Sequence, residues 1–95
     1  MSALTVNSYF NDQVKSIALE NVDGSSTVGV MAVGEYTFGT SMREYMTVIS
    51  GSLNVRLPNK SEWQTFAKGD TFIVEANLSF DVLVSETTAY LCRYE

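Results

Sequence analysis

Side-chain character changes on alternate residues along most of this chain, and that period of two limits what it can become. Ser52-Leu53-Asn54-Val55-Arg56-Leu57 shows it most cleanly, with Leu53, Val55 and Leu57 on one face and Asn54 and Arg56 on the other. A strand sends successive side chains to opposite faces, so such a segment is an extended ribbon with one buried side. Thr27 to Val33, Tyr45 to Ser50, Thr71 to Val74, Leu78 to Val84 and Thr87 to Arg93 read the same way, and Val14 to Leu19 supplies a first strand. Turn residues punctuate them at Asp23-Gly24-Ser25-Ser26, Ser50-Gly51, Pro58-Asn59-Lys60-Ser61 and Lys68-Gly69-Asp70. Only Asn7 to Gln13 suggests a turn of helix, with Asn7 or Ser8 as its cap. Many short strands at near-regular spacing predict an all-β sandwich or barrel.

Ninety-five residues make one domain, spanning 1–95. A core this small gains from a partner subunit covering part of a sheet, so a homodimer is expected. Six basic against eleven acidic residues give a net charge of −5, with no Lys/Arg run, which argues against nucleic-acid binding. The same balance repels anions at long range, so an anion site needs a local cation or clustered N–H groups. The apolar stretches are short and interrupted, which argues against a membrane span. Cys92 has no intrachain partner and no signal peptide is visible at the start, so the expected location is cytoplasmic.

The spacing of Phe38, Thr40, Glu44 and Gly51, followed by Gly69, Glu75 and Phe80, resembles the two short motifs of the cupins. That resemblance implies a single-domain double-stranded β-helix, or jelly-roll barrel. In most cupins two histidines, a glutamate and a further histidine hold a metal ion. The matching positions here are Phe38, Thr40, Glu44 and Phe80, and the chain contains no histidine at all. One carboxylate is a poor transition-metal site, so no metal and no other cofactor is expected. Chemistry without imidazole falls to carboxylates, phenols, hydroxyls and fixed cations.

Val14-Lys15-Ser16-Ile17, Val28-Gly29-Val30-Met31, Gly34-Glu35-Tyr36-Thr37-Phe38 and Met46-Thr47-Val48-Ile49-Ser50-Gly51 carry a closer likeness. With Leu53-Asn54-Val55, Leu57-Pro58, Trp63-Gln64 and Tyr90-Leu91-Cys92-Arg93-Tyr94, their order and spacing resemble the small bacterial pyrimidine/purine nucleoside phosphorylase family. The likeness runs from about Tyr9 to Tyr94. One departure is Glu75-Ala76, where members of that family tend to carry Pro-Gly, and it bears on specificity more than on fold. The resemblance implies phosphorolysis of purine and pyrimidine nucleosides alike. Nucleoside and inorganic phosphate, as co-substrate, would give free base and pentose 1-phosphate at a metal-free site inside the barrel.

Such a reaction passes through a cationic sugar. It needs an anion holder, a carboxylate near the pentose and a surface for the base. Arg93 is the candidate anion fork, weighed against a surface arginine paired with a carboxylate. Arg43 reads as a loop charge and Arg56 as a solvent-facing one. Glu44 is the candidate catalytic carboxylate, weighed against a buried structural group bonded to a nearby Tyr or Thr. Tyr36, Phe38, Phe72 and Phe80 are candidate base-binding aromatics, with a plain aromatic core as the competing reading. Thr40 and Tyr94, with Tyr36 and Tyr90, offer hydroxyls. Cys92 reads as a small core residue. Two other functions share this β pattern: a cupin that binds a small molecule without reacting, and a filled structural barrel.

Overall fold

The computed structural model describes residues 3–95. It is all-β, with ten strands: β1 (Val6–Tyr9), β2 (Val14–Asn21), β3 (Gly24–Met31), β4 (Gly34–Gly39), β5 (Glu44–Ser50), β6 (Ser52–Arg56), β7 (Gln64–Ala67), β8 (Thr71–Val74), β9 (Ser79–Val84) and β10 (Thr88–Tyr94). They form two antiparallel sheets, one ordered β1-β2-β3-β10-β5-β8 and the other β4-β9-β6-β7. The inner faces of both sheets share one core. Among the described residues there is no helix long and apolar enough to cross a membrane.

Alternation places the core as the sequence predicts. Leu53 and Val55 are fully buried on β6, and Val82 and Val84 on β9. Each such aliphatic side chain contributes about 1.5–3 kcal/mol of transfer free energy. The tight β5–β6 turn depends on Gly51, whose φ is 96°. A Cβ there would stand 2.4 Å from the Thr88 Oγ1. That hydroxyl accepts from Ser52 N–H at 3.1 Å and donates to the Glu86 carbonyl at 2.8 Å, so it bonds the turn to the start of β10.

One expectation fails. Asn7 to Gln13 forms no helical turn. Val6–Tyr9 instead pairs with β2, and Phe10, Asn11 and Asp12 follow in the left-handed region. Asn and Asp tolerate that conformation as well as they cap a helix, so the same residue types fit both outcomes.

Candidate active site

Register decides which side chains meet inside the barrel. On the large sheet Ser16 pairs with Gly29 and Gly29 with Tyr90, so these three form one inward row. Thr27, Cys92 and Met46 form the next, and Tyr94 stands opposite Glu44 in the one after. Gly29 leaves room for its neighbour: a Cβ there would lie 2.5 Å from the Tyr90 ring. Glycine in mid-strand here lets a phenol lie flat against the sheet.

These rows, with Phe38, Gly39 and Phe80 from the small sheet and Tyr9 and Met31, enclose a cavity of about 130 Å³. Glu44 is the lone carboxyl in its wall, and no lysine or arginine lines it among the described residues. The Cys92 thiol donates to Glu44 Oε1 at 3.5 Å. Burial raises the Glu44 carboxyl above its ordinary value, and the thiol's hydrogen bond partly opposes that shift. Burial also raises Cys92, as does the nearby Glu44 charge, so the thiol stays protonated. Tyr90 is pushed up to about 12, first by burial and then by its proximity to Cys92 and Tyr9. Tyr94 is raised by burial too, and its hydroxyl bonds Thr27 Oγ1 at 3.0 Å. The cavity therefore holds neutral donors around one carboxyl that burial raises above its ordinary value.

Five of the nine candidate residues line this space: Glu44, Phe38, Phe80, Tyr90 and Tyr94. Phe38 and Phe80 stack at 5.6 Å. The other four are placed elsewhere. Tyr36 is buried, but its hydroxyl donates to the Ala32 carbonyl at 2.7 Å. Thr40 braces the β8–β9 loop, donating to the Glu75 carbonyl at 2.7 Å and accepting from Leu78 N–H at 3.1 Å. Phe72 packs in the core between Phe66 and Phe80. Arg93 does not line the cavity. Alternation on β10 turns Tyr90, Cys92 and Tyr94 inward and so turns Arg93 outward. There it lies over the Tyr45 ring at 4.8 Å and 3.9 Å from Glu95. The anion fork expected in the cavity is on the opposite face of the sheet.

Tyr9 and Ser16 complete the polar wall, and neither is marked as a site residue by the sequence. The donor set does not fit a transition-metal centre. Phe38 and Phe80 present rings where cupin ligands would stand, Thr40 bonds backbone instead, and the one thiol is held protonated.

The family model described as pyrimidine/purine nucleoside phosphorylase matches residues 4–94. This chain belongs to that family. Curated pyrimidine/purine nucleoside phosphorylase relatives include one from Saccharophagus degradans, 60% identical over 91 residues, covering 96% of this chain and 97% of its own. Another, from Teredinibacter turnerae, is 56% identical over 92 residues, covering 97% of this chain and 98% of its own. A Vibrio parahaemolyticus protein of unknown function has a crystal structure matching at TM-score 0.94 and 44% identity, over 99% of this chain and 100% of that one. An RmlC-like cupin from Shewanella frigidimarina matches at TM-score 0.72 and 14% identity, over 94% and 80% of the two chains, which supports the cupin fold alone. The architecture of this family member is thus the all-β barrel its strand pattern predicts, in the cupin form that its motif resemblance implies.

Proposed function

We propose that this chain is a nucleoside phosphorylase of broad specificity, working without a metal at the cavity that Glu44 lines. Glu44 carries the reading: one carboxyl among phenols and a thiol, raised by burial toward its protonated form. Phosphate oxygen forms a bond to the anomeric carbon as the bond from that carbon to the base nitrogen breaks. Protonated Glu44 gives its proton to the departing base. The carboxylate this leaves offsets the positive charge then developing on the sugar. A proton from the phosphate hydroxyl returns to Glu44, so the base gains one proton and phosphate loses one. With Arg93 outside and the Glu44, Ser16 and Tyr90 wall taken by the pentose, the Tyr94 hydroxyl is the neutral donor of the cavity wall left for phosphate.

Release of free base from uridine and adenosine, with and without phosphate, tests this. Phosphate-dependent release from both is expected. Release without phosphate would make the protein a hydrolase. Binding of nucleoside without release would favour the non-enzymatic binding cupin.

The working form we propose is a cytoplasmic homodimer formed through the outer face of the large sheet. Val6, Ile17, Val28 and Leu91 align across β1, β2, β3 and β10, with Leu19 and Val30 beside them. All except the half-buried Leu91 are solvent-exposed. The outward charged positions on β2, β3 and β10 are Lys15 and Arg93, both cationic. Two copies with a net charge of −5 can therefore meet there without opposing carboxylates. Sedimentation equilibrium of the Val28→Glu variant against the native chain tests it, with dissociation expected.

A further inference from the structure

The cavity has a closed floor and an aromatic mouth. Met31, Met46, Phe80 and Cys92 are exposed by 3% or less, whereas Tyr9 is 45% exposed and still lines the wall. At about 130 Å³ the space is well below the ~300 Å³ at which small-molecule pockets begin, so a whole nucleoside does not fit inside. The pentose, rich in hydroxyls, matches the Glu44, Ser16 and Tyr90 wall. The flat, less polar base is left at the mouth, beside Tyr9.

Tyr9 is held there by unusual backbone. Strand alternation turns it inward with Asn7, opposite Val14. The turn that follows puts Phe10, Asn11 and Asp12 at φ values of 53°, 53° and 69°. Asn and Asp accept this readily, but an aromatic residue does so at a steric cost. The surroundings fix it. The Phe10 ring lies 5.0 Å from Tyr36 and edge-on to Phe38 at 5.5 Å. Gln13 N–H donates to the Phe10 carbonyl at 3.1 Å, and Ala32 N–H donates to the Gln13 carbonyl at 2.8 Å. The Ser8 hydroxyl bonds the Asp12 carboxylate. A strained, tied turn carrying a half-exposed aromatic ring is a positioned element.

We propose that Tyr9 is the stacking platform for the nucleobase. The identity of the ligand rests on the phosphorylase reading; the placement of the ring does not. Stacking on a phenol accepts purine and pyrimidine alike, because every base offers a π-face. It also explains how one small cavity serves both, since the differing part of the substrate stays outside the barrel.

The test is calorimetric binding of adenosine and uridine without phosphate, alongside steady-state kinetics, for the native chain, Tyr9→Phe and Tyr9→Ala. Loss of one stacked base predicts about a tenfold weaker Kd and higher nucleoside KM for Tyr9→Ala, larger for adenosine than for uridine. Tyr9→Phe should stay within about threefold of native, and phosphate KM should not move. Unchanged nucleoside affinity in Tyr9→Ala overturns the proposal. So does an equal loss in Tyr9→Phe, which would make the hydroxyl and not the ring the contact. A parallel rise in phosphate KM would indicate general damage to the site and also overturns it. If the native chain binds nucleosides in this pattern but releases no base, the stacking role stands and the phosphorylase reading alone falls.

Discussion

The Cys92 thiol points at Glu44 Oε1 from 3.5 Å, joining strands β10 and β5 inside the barrel. It makes a titratable carboxyl depend on a neutral neighbour. Burial raises Glu44 and the thiol's hydrogen bond moderates that rise, so altering the neighbour should retune the acid. Cys92→Ala removes the donor and Cys92→Ser supplies a stronger one. If protonated Glu44 serves the departing base, activity falls as pH rises through its pKa. The alkaline limb of the pH–rate profile should then move up in Cys92→Ala and down in Cys92→Ser. Shifts in the same direction would disconnect the thiol from the chemistry.

Glu44→Gln keeps the shape of the carboxyl but cannot donate a carboxylic proton. Turnover should fall at least tenfold, within the 10²–10⁴ span of general acid–base contributions. Stability should move the other way. A carboxyl raised on folding contributes stability below its unfolded value, near 4.5, and loses it as pH rises through the folded value. The native chain therefore bears at neutral pH a penalty that the Gln variant lacks. Thermal melts should show equal Tm values near pH 4 and a higher Tm for Glu44→Gln at pH 7. A lower Tm at pH 7 would mean that the ionised carboxylate is structurally required.

Arg93 shows where sequence reading reaches its limit. Its place in a family-like string drew it toward phosphate, yet the parity that turns Cys92 and Tyr94 inward sends it out, over Tyr45. Arg93→Ala should leave phosphate KM within about twofold, since a surface pair of this kind contributes little. A tenfold rise, measured by initial rates against phosphate concentration, would instead bring the guanidinium of a second chain to the site.

The core was legible because each buried strand writes its own pattern, as Leu53 and Val55 do. Phe38, Glu44 and Phe80 were legible as cavity residues because motif spacing carries them into the barrel. Strand β7 was not, since Gln64, Thr65 and Ala67 are all exposed and leave only Phe66 to mark a face. Nor was the Ser16–Gly29–Tyr90 row, which antiparallel register assembles from three distant segments. A signal existed in Gly29, a glycine amid β-branched residues, which marks a close approach without naming what approaches.

Gly51→Ala probes the β5–β6 turn from a different physical direction. The residue sits at φ 96°, where an L side chain is strained, and its new methyl would lie 2.4 Å from Thr88 Oγ1. Relief requires moving Thr88, which is fully buried and bonds both the turn and Glu86. Either the turn distorts or a buried hydroxyl loses its partners, and each route costs about 2 kcal/mol or more. In a domain of this size that lowers Tm by about 10 °C. Nucleoside affinity of the folded variant should remain native, because neither Gly51 nor Thr88 lines the cavity. Differential scanning calorimetry and the binding isotherm together check it. A loss of Tm below about 2 °C would show that the turn has another conformation open to it, and a loss of affinity would tie the turn to the site through Met31, which pairs with Thr88.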